Sequence, residues 1–71
     1  MEKVEITTPT IKLDQFLKWI GVIDSGAQVK FLIEDELIFV NKSKATERRK
    51  KLQPGDIVEI KGNGEWIITG S

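Results

Sequence analysis

Four consecutive cations, Arg48 to Lys51, lead directly into a turn signal and an alternating apolar segment. Pro54-Gly55-Asp56 has turn chemistry, because proline fixes φ and glycine permits a positive φ, and the β-branched residues that follow favour a strand. This order concentrates positive charge at the edge of a folded sheet. Arginines offer planar forks to phosphate oxygens and lysines act as mobile point charges. The segment is therefore suited to binding a polyanion, with RNA as the leading candidate.

The net charge of the chain is zero, but the charges are unevenly distributed. Between residues 42 and 51 six cations stand against Glu47, a local net charge of +5, whereas the triplet from Glu34 to Glu36 contributes −3. A phosphate backbone responds to the local potential within a Debye length of about 8 Å. Residues 42–51, which we call the cationic segment, can therefore bind it despite overall neutrality. The competing interpretation is a solvated loop, in which two of the four consecutive cations pair with Glu47 or Glu59.

The composition excludes several kinds of site. Cysteine and histidine are absent, which removes thiolate and imidazole metal ligands, disulfides and His-dependent triads. Three adjacent carboxylates at 34–36 are more typical of a solvated turn than of an acid–base pair or a magnesium site. The glycines at 62 and 64 form a hairpin signal and no phosphate-cradling loop. We therefore expect no catalytic residue, no metal site, no cofactor and no enzymatic activity.

The length of 71 residues predicts one domain over residues 1–71 with a modest core, because a chain of this size buries only about 60% of its unfolded surface. No apolar run approaches the roughly 18 residues of a membrane-spanning helix, and acidic residues stand where a signal peptide would be basic. We expect a cytoplasmic monomer that does not associate with a membrane.

Hydrophobic periodicity predicts a short strand followed by two helices. Val4–Ile6 is a candidate strand before a Thr-Thr-Pro-Thr breaker. Apolar residues at i, i+3, i+4 and i+7 over Leu13–Ile20 predict a helix that ends at Gly21. Asp24 or Ser25 can cap a second helix, whose first turn contains a glycine. The apolar side chains expected to face inward from this helix are Val29, Leu32 and Ile33.

The remaining segments predict strands. Leu37–Val40 is apolar throughout, so it is either covered on both faces or exposes the face that carries Leu37 and Phe39. Residues 42–51 are expected to form a long polar connection. Two alternating runs separated by a glycine-rich turn predict a terminal hairpin over residues 56–69.

The order of these residues resembles the RNA-binding domain named after ribosomal small-subunit protein S-four (the S4 domain). That family has a basic residue before Leu-Asp, a glycine after the first helix, a serine opening the second, then Leu-Ile, Val-Asn and Leu-x-x-Gly-Asp-x-Ile/Val. The corresponding residues are Lys12-Leu13-Asp14, Gly21, Ser25, Leu32-Ile33, Val40-Asn41 and Leu52 with Gly55-Asp56-Ile57. The match covers about residues 11–60, the core of the motif, and looks most like the small stand-alone bacterial YaaA-type S4 proteins.

The resemblance implies an α+β fold with two helices packed on a small, mainly antiparallel β-sheet. It also implies an αL-like motif in which the helices and the following hairpin present a basic surface to structured RNA, read mainly through shape and phosphates. For stand-alone members it implies ribosomal RNA or a ribosomal subunit as the partner, in ribosome biogenesis. The candidate RNA-binding residues are Lys12, Gln28, Lys30, Asn41, Lys42, Lys44, Arg48, Arg49, Lys50 and Lys51.

The chain departs from the family pattern at several positions. Gly26 stands where an arginine often follows the serine, and Glu36 replaces the glycine of the turn after the second helix. Asn41-Lys42 replaces Asn-Gly, and Arg49 replaces a glycine common in the YaaA type. These departures predict an RNA surface that has shifted from the second helix towards the cationic segment.

For several other residues a structural role is the alternative to contact with RNA. Asn41 can contact RNA or brace its turn, and bracing is favoured. Asp14, near a helix start, and Asp56, in a turn, resemble structural carboxylates of the family. Trp19 and Trp66 can stack on bases, although a tryptophan in so small a domain more often fills or covers the core.

Two other functions remain open. A protein-interaction module would use Leu37, Phe39 and the acidic triplet, and it requires an exposed apolar patch of several hundred Å². A ubiquitin-like β-grasp carrier shares the Leu-x-x-Gly-Asp-x-Val segment but needs a carboxyl-terminal Gly-Gly, where this sequence has Gly70-Ser71. The two consecutive helices also count against the carrier.

Overall fold

A computed structural model describes residues 1–70, which form two helices and seven strands. In chain order the elements are β1 Glu2–Ile6, β2 Ile11–Lys12, α1 Leu13–Trp19, α2 Gly26–Glu34, β3 Ile38–Val40, β4 Ser43–Lys44, β5 Lys51–Leu52, β6 Ile57–Ile60 and β7 Gly64–Gly70. Five strands form one sheet in the order β1-β7-β6-β3-β4, and β2 pairs with β5 in a separate ribbon. The predicted α+β fold class, with two helices and a mainly antiparallel sheet, is confirmed.

The sheet is antiparallel except at one edge. β6 and β7 form an antiparallel hairpin, whereas β1 runs parallel to β7, from Glu2 opposite Trp66 to Ile6 opposite Gly70. The sequence did not predict the β1–β7 pairing, because the two segments lie at opposite ends of the chain and no local signal joins them. As a result β1 and β4 form the two outer edges of the sheet.

A single core joins the helices to one face of the sheet. Burial alternates along the inner strands, so that Ile38 and Val40 are buried while Phe39 between them is half-buried. This alternation has the period of a strand with one covered face. The fully buried side chains include Leu13, Phe16 and Leu17 of α1, Val29 of α2, and Ile38, Val58, Ile60 and Ile68 of the sheet.

Both helices end in a Schellman motif. At the end of α1 the Gly21 amide donates to Lys18 O (3.1 Å) and the following amide to Leu17 O (3.0 Å), with Gly21 at φ 80°. At the end of α2 the Glu36 amide donates to Ile33 O (3.0 Å), and Glu36 has φ 59°. A side chain with a Cβ disfavours this left-handed conformation, so the chain carries strain where the family pattern has glycine.

The turn between β3 and β4 is also left-handed. Asn41 (φ 51°) and Lys42 (φ 69°) are its two central residues, as in a type I′ hairpin turn. Asn41 Oδ1 accepts from the Ile57 amide (2.9 Å) and Nδ2 donates to Asp56 Oδ1 (3.1 Å). Asp56 Oδ2 in turn accepts from the Gln53 amide (3.0 Å). Asn41 and Asp56 therefore connect this turn to the Pro54-Gly55 turn, which is the bracing role expected of both.

The prediction of residues 42–51 as a long polar connection requires correction. The segment contains β4 and the first residue of β5, and Ala45 is buried. The Ala45 amide donates to Ile38 O (2.9 Å). Because Ala45 and Leu52 both contribute to the core, the cations between them are carried by a stretch anchored at each end. Single small or isolated apolar residues in a charged segment give too weak a periodic signal to predict these anchors.

We expect Asn41→Ala to lower the free energy of unfolding by about 1–2 kcal/mol, because it removes two hydrogen bonds and places an alanine at positive φ. Urea denaturation monitored by tryptophan fluorescence measures the change. Asn41→Gly loses the same hydrogen bonds but tolerates the backbone conformation, so its loss should be smaller. Equal losses for the two variants would show that backbone strain plays no part.

Candidate nucleic-acid interface

The cationic segment is docked on the first turn of α1. The Leu13 amide donates to Lys50 O and the Asp14 amide to Arg48 O, both at 2.9 Å. The first amides of a helix have no partner within the helix, and the residue before α1 is Lys12, whose side chain has no acceptor. The carbonyl groups of the segment therefore take the place of a side-chain cap. This fixes the backbone from which Arg48 and Lys50 extend.

Two lysines face each other beside this contact. In the ribbon formed by β2 and β5, Lys12 is the cross-strand partner of Lys51, and both are exposed. Like charges directly opposite each other in an antiparallel pair destabilise the pair. A bound polyanion would convert this repulsion into attraction for both ammonium groups.

Helix α2 contributes a further cation. Lys30 and Arg48 line one surface depression, together with Ile33, Glu34 and Thr46. A neighbouring depression contains Lys44, Lys50 and Glu47. Thr46 was not predicted as a site residue, and a threonine in a charged segment gives no signal that could have identified it. The structure thus brings Lys30 of α2 close to the cationic segment.

We call the resulting area the basic surface and define it by Lys12, Lys30, Lys42, Lys44, Arg48, Arg49, Lys50 and Lys51. Within residues 1–70 the structure has one ion pair, between Lys44 Nζ and Glu36 Oε1 at 2.9 Å. The pairing of consecutive cations with Glu47 or Glu59, considered from the sequence, is absent from this part of the chain. Arg48 to Lys51 are exposed and have no acidic partner there, so they remain available to an external anion.

The ion pair with Glu36 limits how much Lys44 can contribute to the binding of an external anion. Its side chain and that of Glu36 are 45% and 65% exposed, respectively, so the pair is solvated and worth little to stability. Because Glu36 follows the helix that carries Glu34, the acidic triplet borders the basic surface at the end of α2. Phosphate groups should therefore bind on the α1 side of the cationic segment in preference to this border.

Lys42 occupies a position that favours glycine. Its φ of 69° places a long cationic side chain in the left-handed region, at a cost of roughly 1–2 kcal/mol relative to an ordinary conformation. Local strain of this kind is concentrated at functional sites in folded proteins. The exposed ammonium group at the tip of the β3–β4 turn is consistent with that pattern.

Two predicted RNA contacts have other roles in the structure. The oxygen of Asn41 accepts from the Ile57 amide, as described above, so its side chain is committed to bracing. Gln28 Oε1 accepts from the amides of Asp24 and Ser25, within the cap of α2. Both side chains therefore hold backbone in place, and the expectation that their polar groups face RNA is weakened.

A second group of acidic residues lies away from the basic surface. Glu2, Glu59 and Glu65 line a depression at the hairpin turn, and Glu59 is the cross-strand partner of Glu65. Lys3 and Glu5 lie on β1, at the sheet edge opposite β4. Four strand spacings of about 4.8 Å separate those edges. This second acidic group is therefore separated in space from the basic surface, whereas the triplet from Glu34 to Glu36 borders it.

The face proposed for a protein partner is only partly exposed. Leu37 and Phe39 are both half-buried, as are Ile57 and Ile67 on the outer face of the sheet. Within residues 1–70 the large apolar side chains classed as exposed are Met1, Trp19 and Phe31. The residues named for the protein-interaction alternative therefore do not form a strongly exposed patch.

The described residues contain no group of three or more acidic side chains positioned to share a metal ion. In the same range neither helix has the length and apolar character needed to cross a membrane.

The model of the S4 domain family matches residues 4–68. The "Probable ribosome maturation protein RlbA" of Bacillus subtilis (strain 168) is 40% identical over 65 residues, which cover 92% of this chain and 92% of that protein.

We predict that Lys44→Met raises the pKa of Glu36. The hydrogen bond from Lys44, and then its charge, hold the pKa of the Glu36 carboxyl below its ordinary value. Because the folded-state pKa is lowered, the pair stabilises the fold at neutral pH, and this contribution is lost as the pH falls through the lowered pKa. An NMR titration of the Glu36 carboxyl carbon measures the pKa, with Lys42→Met as the matched control. A pKa that stays low in Lys44→Met would contradict the assignment.

Proposed function

This chain belongs to the S4 domain family, and on that basis we propose that it is a non-catalytic protein that binds structured RNA through the basic surface. We further propose that residues 1–71 act as one RNA-binding unit, as a monomer, in the bacterial cytoplasm. The RNA is ribosomal, and the protein acts during ribosome assembly.

One observation carries the proposal, namely the docking of the cationic segment on α1. The carbonyl groups of Arg48 and Lys50 are held by helix amides, so the side chains extend from a defined backbone instead of a mobile loop. Lys12 and Lys51 flank this contact, and Lys30 approaches from α2. A preorganised set of cations loses less conformational entropy on binding than a disordered one.

The arrangement favours recognition of RNA geometry. Arginine and lysine side chains contact phosphates and position the protein without reading the base sequence. Paired RNA presents mainly backbone and hydroxyl groups to a protein surface. The basic surface should therefore select folded RNA by the spacing of its phosphates.

The ribosomal part of the proposal is supported by the relative from Bacillus subtilis, whose name describes ribosome maturation. The matched region covers 92% of this chain and 92% of that protein, so the likeness extends well beyond a short motif. The alternative of a β-grasp carrier has no comparable support.

We expect Arg48→Ala combined with Lys50→Ala to weaken binding to purified ribosomal RNA on the order of 10-fold or more at low salt. The logarithm of the affinity falls as the logarithm of the salt concentration rises, and each lost phosphate contact makes this slope less steep by about 0.7–0.9. The slope of the double variant should therefore be less steep than that of the parent by about 1.5. Fluorescence anisotropy over a series of salt concentrations measures both quantities.

The matched control is Lys3→Ala combined with Lys61→Ala, which removes the same total charge. Lys3 lies on β1 and Lys61 in the turn after β6, and both are exposed. The control should retain the affinity and salt slope of the parent protein. Equal losses in the two double variants would mean that only overall charge matters, and the assigned surface would then be wrong.

The ribosomal assignment predicts that the tagged protein sediments with a ribosomal subunit or its precursor in a low-salt gradient of bacterial lysate. Because the contact is electrostatic, raising the salt concentration should release it. Crosslinking should join residues 42–51 to ribosomal RNA. Slow sedimentation without crosslinked RNA would refute the ribosomal role.

A further inference from the structure

The side chain of Trp19 is largely exposed, and the packing of the core gives no reason for this exposure. Its side chain is 64% exposed, whereas the other tryptophan, Trp66, is 9% exposed and donates from Nε1 to Glu2 Oε2 (3.2 Å). Burying an aromatic ring stabilises a small core strongly. Trp19 is at the end of α1, where it neither fills nor covers the core.

The exposed indole borders a depression of about 560 Å³ between α1 and the segment that joins β1 to β2. Ile6 and Ile11 supply apolar lining, and Thr7 and Thr10 supply hydroxyl groups. Thr8 Oγ1 donates to Thr10 O (2.7 Å), which holds the joining segment in shape. An apolar cleft with a few polar groups is the usual form of a small-ligand site.

The charge of the depression suits an anion. Lys18 and Gln15 complete its lining, which contains no acidic residue. Gln15, Lys18 and Trp19 lie at i, i+3 and i+4 and so share the outward face of α1. A flat aromatic wall next to an ammonium group and hydroxyl groups matches the parts of a nucleotide, which are a π-system, a phosphate and a hydrogen-bonding edge.

The depression adjoins the basic surface. Ile11, in its lining, pairs with Leu52, and the next residue pair along the same ribbon is Lys12 with Lys51. By the rise of an α-helix, Lys12 and Trp19 are only about 10 Å apart along α1. One RNA molecule held by the basic surface can therefore reach Trp19.

We propose that this depression binds one unpaired nucleobase of the RNA, stacked on the indole of Trp19. The hydroxyl groups of Thr7 and Thr10 bond the edge of the base, and Lys18 contacts the adjoining phosphate. Stacking accepts any base, so the site recognises an unpaired nucleotide next to a helix and not a particular sequence. The inference rests on the proposed RNA-binding function and adds a second kind of contact to it.

The test compares three probes, namely purified ribosomal RNA, an RNA duplex with one bulged nucleotide and the same duplex fully paired. We expect the parent protein to prefer the bulged duplex. We expect Trp19→Ala to lose that preference, with a drop in affinity for the bulged duplex of roughly 5- to 100-fold. Because the lost contact is not ionic, the salt slope should stay unchanged.

Phe31→Ala is the matched control. Phe31 is also 64% exposed, but it lies on α2 and outside the lining of the depression. It should bind all three probes as the parent does. Trp19→Phe, which keeps an aromatic face, should recover part of the preference for the bulged duplex.

A spectroscopic measurement supplies an independent readout. In Trp66→Phe, Trp19 is the only tryptophan, and the bulged duplex should quench its fluorescence more strongly than the paired duplex. If this variant does not fold, the affinities of Trp19→Ala in the otherwise unchanged protein decide the question.

The outcomes separate the two proposals. If ribosomal RNA binds with its salt dependence but Trp19→Ala binds both duplexes as the parent does, the base site is refuted and the RNA-binding function stands. If none of the three probes binds the parent protein, both proposals fail. Loss of the bulge preference in Trp19→Ala alone supports the base site.

Discussion

The position of the cationic segment against α1 depends on two backbone hydrogen bonds, from the Leu13 and Asp14 amides to the carbonyl oxygens of Lys50 and Arg48. Each contributes only about 1 kcal/mol net, yet leaving helix amides without partners would cost more. Since Lys12 cannot cap α1 with its side chain, the first amides of α1 depend on these carbonyl groups for their hydrogen bonds. The cationic segment in turn depends on α1 for its position. The same contact therefore completes the helix and positions the cations.

Several charged residues on this side of the molecule adopt arrangements that lower the local stability of the fold. Lys12 opposes Lys51 across a strand pair, Lys42 adopts a left-handed conformation, and Glu36 does the same at the end of α2. A small core must offset these costs, and the fully buried side chains of α1 and the sheet do so. Strain and repulsion that coincide with a charged surface are more easily explained by a ligand than by folding.

The uneven distribution of charge explains how a chain of zero net charge presents a basic surface. The basic surface gathers around β5 and the start of α1 and has the acidic triplet at its border on α2, whereas a separate group of acidic side chains lies at the β6–β7 turn and on β1. Beyond a Debye length each group is screened from the other. An approaching RNA would thus be attracted to one side and repelled by the other, which orients the encounter.

Local patterns in the sequence were enough to predict both helices, the Gly21 end of α1, a cap of α2 at Asp24 or Ser25 and the concentration of cations, because each is decided by residues within a few positions of one another. The tertiary structure alone decided that β1 pairs with β7, that the cationic segment caps α1, and that Trp66 is buried while Trp19 is exposed. These features depend on contacts between segments far apart in the chain, whose energies come from packing and complementary hydrogen bonding that no local pattern encodes.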